Sequence, residues 1–147
     1  MAFPSTTWER EEKSLGGKAF RPVPTQAKAC GYSFDMNFKE PDITVKQGTV
    51  EDWIIENRAT EAHSFHIHQL HFQLLERDGT PVDEPALRDT IDLPYWDGKS
   101  ARYPSVKLRM DFRNPEIAGT FVYHCHILEH EDGGMMGAIR VVPARRK

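Results

Sequence analysis

Val106-Lys-Leu-Arg-Met-Asp-Phe-Arg113 decides the fold class. Apolar Val106, Leu108, Met110 and Phe112 alternate with Lys107, Arg109, Asp111 and Arg113. A period of two marks an extended strand with one face in a core and the other in water. The same kind of signal recurs in short pieces on both sides. Downstream, Thr120-Phe-Val-Tyr-His-Cys-His-Ile127 follows Gly119 and is rich in aromatic and β-branched residues, and Met136-Gly-Ala-Ile-Arg-Val-Val142 runs up to Pro143. Upstream, Leu87 to Leu93 is a weaker strand signal between Pro85 and Pro94, and His63 to Arg77 is a longer stretch closed by the turn pair Asp78-Gly79. Val50 to Ile55 and Ile43-Thr-Val45 flank Gly48, and Tyr32, Phe34, Met36 and Phe38 alternate with Ser33, Asp35 and Asn37. Seven or eight short strands with turn chemistry between them, and no long helical period, predict an all-β sandwich or barrel.

The 147 residues are the size of one domain. Residues 1–30 carry Pro4, Pro22, Pro24 and the pair Gly16-Gly17 without a sustained apolar period, and predict a polar extended arm or interdomain linker. The domain proper is expected over 31–143, with a basic tail at 144–147. No stretch approaches the roughly 18 consecutive apolar residues of a spanning helix, and the opening residues lack the apolar centre of a signal peptide. The chain is therefore not expected to engage a membrane. A net charge of -3 without a basic stripe argues against nucleic acid as a partner.

Histidine carries the chemistry. All seven fall in two groups, His63, His66, His68 and His71, then His124, His126 and His130. Strand parity places His66 and His68 on one face with His63 on the other, and places His124 and His126 opposite Cys125. If the two strands are neighbours, four imidazoles form one cluster, and Cys125 with His63 begins a second on the far side. His130 and Met135, separated by the flexible Gly133-Gly134, can complete that second set. Two histidines, a thiolate and a weak thioether make the ligand combination of a blue-copper electron-transfer site, while an imidazole-only set suits copper, zinc, iron or nickel.

His63-Ser-Phe-His66-Ile-His68 and His124-Cys-His-Ile-Leu-Glu-His130-Glu-Asp-Gly-Gly-Met135 together resemble the copper motifs of the last cupredoxin domain of laccase-like multicopper oxidases. The similarity covers roughly Gly31 to Pro143. It implies a Greek-key cupredoxin barrel or sandwich, with type 1 copper held by His63, Cys125, His130 and Met135. It also implies half of a trinuclear cluster, with His66 at type 2 copper and His68, His124 and His126 at the type 3 pair. A reduced small-molecule or metal-ion substrate would give electrons to type 1 copper, and Cys125 would pass them through its flanking histidines to the cluster, where dioxygen becomes water. Glu131 matches a position where bacterial members often carry an acid near the oxygen site, which implies proton delivery. Family location implies a periplasmic or secreted enzyme.

The family's cluster uses eight histidines, and four come from a different domain. This chain offers only His66, His68, His124 and His126 for it. The missing ligands come from a complementary cupredoxin domain or chain, from a second copy in a homo-oligomer, or not at all. In the last case the chain is a stand-alone type 1 copper electron carrier or copper-binding module without oxygen reduction.

Competing assignments are weaker. His126-Ile-Leu-Glu129-His130 matches the inverted zinc-protease pattern H-x-x-E-H, which needs a helix to bring both histidines to one face, whereas the preceding residues favour strand. His71 is assigned no metal, Met136 is expected in the core, Trp53 and Trp96 are expected as core and loop anchors, and Cys30 lies outside both motifs.

Overall fold

The computed structural model of the chain describes residues 8–11 and 40–143. The alternation from Tyr32 to Phe38, Cys30 and the basic tail lie outside the described residues. The strands, in chain order, are β1 (Trp8–Glu11), β2 (Ile43–Lys46), β3 (Val50–Glu56), β4 (His63–Ile67) and β5 (Phe72–Arg77). They continue with β6 (Thr80–Pro81), β7 (Leu87–Arg88), β8 (Thr90–Leu93), β9 (Ser105–Asp111), β10 (Gly119–Cys125) and β11 (Met136–Val142). One short helix, α1 (Leu128–Asp132), lies between β10 and β11.

These strands form two sheets. One runs β1-β3-β9-β5-β6 with β7 also on β5, and the other runs β2-β11-β10-β4-β8. Every pairing is antiparallel except β2 on β11. Their inner faces share one apolar core: Trp53, Ile55, Phe72, Leu74, Leu108 and Met110 from the first sheet meet Val45, Phe65, Ile67, Leu93, Phe121, Tyr123 and Ile139 from the second. The alternation from Val106 to Phe112 is realised on β9, where Leu108 and Met110 are 0 % exposed while Arg109 and Asp111 lie in solvent. Trp53 is buried in this core, and Trp96 anchors its loop by donating from Nε1 to the Ser100 carbonyl at 2.9 Å.

Two strand signals are divided where the chain changes sheet. The stretch from His63 to Arg77 breaks between β4 and β5, which belong to different sheets, and Gln69 takes the left-handed region (φ 68°) that makes the turn. Leu87 to Leu93 breaks in the same way at Asp89, with β7 in the first sheet and β8 in the second. At the first crossing the buried positions shift by one, from Phe65 and Ile67 to Leu70, Phe72 and Leu74, and at the second both residues of β7 are exposed while Ile91 and Leu93 of β8 are buried.

Candidate metal centre

Strands β4 and β10 are hydrogen-bonded neighbours, with Tyr123 opposite Ile67, His124 opposite His66 and Cys125 opposite Phe65. Residues directly opposite share a face of the sheet. Cys125 therefore points with Phe65 into the sandwich, and His63, two residues before Phe65, points with them. His124 and His66 point outward from the other face.

Beyond Cys125 the chain leaves the sheet. Ile127 is extended (φ -85°, ψ 120°) and caps α1, which carries His130 back toward the sulfur before Gly133 stops the helix. His126 lies ahead of this helix, so the H-x-x-E-H pattern never occupies one helical face and the protease assignment has no structural support.

The sulfur set is compact. Cys125 Sγ lies 3.5 Å from His130 Nδ1 and 3.8 Å from His63 Nδ1, and the two imidazole nitrogens are 3.1 Å apart. Cys125 is 0 % and His63 2 % exposed. The Ser64 backbone N–H donates to the sulfur at 3.4 Å. Burial, reinforced by the neighbouring His130 and opposed by Glu61, lowers the His63 pKa from 6.5 to about 4, which keeps that imidazole neutral. On its far side His63 Nε2 is buried without a hydrogen-bond partner. His130 Nε2 lies 3.5 Å from Glu61 Oε2. The Met135 main chain is tied to both neighbours, its carbonyl accepting from Cys125 N–H at 3.0 Å and its N–H donating to the His130 carbonyl at 2.9 Å.

The imidazole set occupies the outer face. His68 Nε2 and His124 Nε2 are 3.1 Å apart, and one ring nitrogen from each of His66, His68 and His124 lies within 4.8 Å of the others. His126 is exposed and joins through ring contacts, with centroids 5.2 Å from His66 and 5.8 Å from His124. His66 Nδ1 is 3.1 Å from the Asp89 carbonyl, and His124 Nδ1 is 3.0 Å from the Cys125 carbonyl. A carbonyl only accepts, so each Nδ1 carries the proton and each Nε2 keeps its lone pair, that of His124 turned toward His68 Nε2. Desolvation and the neighbouring imidazoles lower the pKa values of His66 and His68, opposed by Asp89 and, at His68, by Glu131. Glu131 Oε2 is 3.5 Å from His124 Nδ1. His71 is exposed and belongs to neither set. Glu61, Ser64, Asp89 and Thr90 touch the two sets without having been singled out from the sequence. Ser64 lies within the first motif on β4 but acts through its backbone N–H, which no side-chain pattern marks, and Glu61, Asp89 and Thr90 come from loops and the adjacent β8, whose register the motifs do not encode.

Fold and site together define a cupredoxin-type sandwich bearing one cysteine-centred and one imidazole-only cluster of potential metal ligands. The multicopper oxidase family model matches residues 18–145, and the chain belongs to the multicopper oxidase family. It is 41 % identical over 117 residues to the multicopper oxidase mco of Staphylococcus haemolyticus, covering 76 % of this chain and 24 % of that protein. It is 32 % identical over 106 residues to the laccase of Bacillus subtilis, covering 63 % of this chain and 20 % of that protein. Among solved structures, the multicopper oxidase of Campylobacter jejuni aligns at TM-score 0.60 and 38 % identity, covering 77 % of this chain and 22 % of that one. That of Pediococcus acidilactici aligns at TM-score 0.63 and 30 % identity, covering 85 % and 26 %. The chain spans about a quarter of the length of these relatives.

The family implies copper, and the donors present fit it. A point equidistant from three atoms separated by 3.1, 3.5 and 3.8 Å lies about 2.0 Å from each, close to the ~2.0–2.3 Å of metal bonds to imidazole nitrogen and thiolate sulfur. Thiolate with two neutral imidazoles is a donor set that copper favours.

Proposed function

We propose that this chain is the domain of a multicopper oxidase that accepts electrons from a reduced substrate and carries them to an oxygen-reducing cluster. His63, Cys125, His130 and Met135 hold type 1 copper. His66 at type 2 copper, with His68, His124 and His126 at the type 3 pair, supplies half of the trinuclear cluster, and the other four histidines come from a complementary cupredoxin domain or chain. Copper in these two sets supplies one-electron redox chemistry at the first and four-electron reduction of dioxygen to water at the second. The observation that carries this assignment is the opposed facing of adjacent residues, with Cys125 packed against His63 and His130 while His124 meets His66 and His68 on the other side of the same strand.

The residues divide the work. The Ser64 N–H stabilises negative charge on the sulfur, and burial keeps His63 neutral and ready to ligate. One peptide bond on either side joins Cys125 to His124 and to His126, so the shortest covalent path between the two sets runs through the chain itself. Met135 rather than Met136 would supply the thioether, because Met136, expected in the core, instead lies opposite His124 in the β10–β11 pairing and so shares the outer face. Glu131, close to His124, is placed to bring protons to the imidazole face. The reductant is a small organic molecule or a metal ion, and the enzyme works in the periplasm or outside the cell.

The test is oxygen uptake by the copper-loaded chain with a one-electron phenolic donor, alone and after addition of a complementary cupredoxin domain. The expected result is a blue band that the donor bleaches in both samples, with oxygen consumed only when the missing histidines are supplied. A bleachable band with no oxygen uptake in either sample would assign the chain to electron carriage instead.

A further inference from the structure

Thr90 lies directly opposite His66 in the β4–β8 pairing, as His124 does in the β4–β10 pairing. The three side chains therefore form a row across the outer face of the sheet, with His66 in the middle. On one side the His66 ring meets His124 edge-on at 5.1 Å between centroids. On the other, His66 Nδ1 is 2.8 Å from Thr90 Oγ1 and 3.1 Å from the Asp89 carbonyl. The directions of these bonds are fixed by valence. The Asp89 carbonyl only accepts, so Nδ1 carries the hydrogen and shares it between the two oxygens. Thr90 Oγ1, accepting from the imidazole, must send its own proton elsewhere, and Asp89 Oδ1 receives it at 3.0 Å. Asp89 stands where the chain crosses between sheets, outside the regular ladder, and its carbonyl also accepts the Ile67 N–H at 3.0 Å, which pins it against β4.

We propose that Thr90 and Asp89 are positioning residues for the ligand His66: an imidazole-to-hydroxyl-to-carboxylate relay that locks its ring orientation and tautomer and leaves Nε2 as the metal-facing lone pair. This rests on the metal-binding role proposed above for His66. A neutral imidazole in water exchanges between two tautomers and turns about two side-chain bonds. Here the relay removes both freedoms before a metal arrives. The carboxylate at its end strengthens the donor nitrogen by drawing the shared protons away from the ring. Deleting such an outer partner costs roughly 10- to 100-fold in metal affinity.

Two readouts test the proposal in the Cys125→Ser/His130→Ala background, where the outer imidazoles are the remaining cluster. Long-range nitrogen–proton correlation spectra of the metal-free protein report the His66 tautomer, and chelator competition reports copper(II) affinity. Thr90→Val, which preserves shape and removes the hydroxyl, is expected to lower the Nδ1-protonated fraction of His66 and weaken copper binding by about 10- to 100-fold. Thr90→Ser should restore both, which a general loss of packing would not allow. Asp89→Ala should move both readouts in the same direction as Thr90→Val. Unchanged tautomer and affinity in Thr90→Val and Asp89→Ala would overturn the relay. Copper affinity indifferent to His66→Ala would instead overturn the ligand role of His66, a failure distinguishable from the first because the tautomer measurement involves no metal.

Discussion

His63 shows how placement tunes a single side chain. In the unfolded chain its pKa is the ordinary 6.5, and in the fold it is about 4, chiefly because burial disfavours the charged ring. The unfolded state therefore binds more protons than the folded state between those values, and stability rises with pH across that window. The contribution is fully present above about pH 6.5 and is lost as pH falls through 4. His66 and His68, shifted in the same direction by desolvation, add to the trend. Urea unfolding of the metal-free protein is thus expected to show a midpoint that drops between pH 6.5 and 4, with a visibly shallower drop in His63→Phe. An identical slope in the two proteins would remove His63 as the source. The same burial serves copper, since a ring held neutral does not have to lose a proton before it ligates.

At the scale of elements, the opposed facing of the two clusters depends on β10 holding its register between β4 and β11. Gly137 is the position on β11 opposite Tyr123. A Cβ there would come within 2.5 Å of the Tyr123 hydroxyl oxygen and 2.9 Å of Asp42 Oδ2, which accepts the Ala138 N–H. Tyr123 is buried on the same face of β10 as Cys125, two residues away, so it cannot move aside without disturbing the strand that presents the sulfur. Gly137→Ala should destabilise the protein by about 1–3 kcal/mol, the cost of overpacking a filled core, as read by urea denaturation. A cost near zero would show that the Tyr123 ring relocates freely.

Much of this level was legible in the sequence. Facing is a property of the local backbone, so the spacing of two in His66-x-His68 and His124-x-His126 sufficed to separate the imidazoles from Cys125, as β4 and β10 show. The helix that brings His130 back was not foreseen. It spans only Leu128–Asp132, too short for a 3.6-residue period to register. Nor was the Thr90 contact to His66 foreseen, because it depends on which strand lies beside β4, and β8 arrives there only after the chain has crossed sheets at Asp89. The motifs encode which side chains face together; they do not encode what stands behind them.

At the scale of the molecule, one sheet carries two chemistries on its two faces. The inner face, turned toward the first sheet, gives the sulfur a buried and compact donor set, and the outer face gathers imidazoles. Four imidazoles on the outer face, two of them exposed, in a chain that spans about a quarter of its relatives' length, account for the complementary domain in the proposed function. The most direct measurement is the visible spectrum and copper content of the loaded protein, taken in parallel for the parent chain, Cys125→Ser and His68→Ala/His124→Ala. Cys125→Ser is expected to lose the thiolate-to-copper band and the metal of the inner set while retaining copper on the imidazole face, and the double variant is expected to do the reverse. A single loss common to both variants, or an intact band without the sulfur, would contradict the division of the strand into two copper sites.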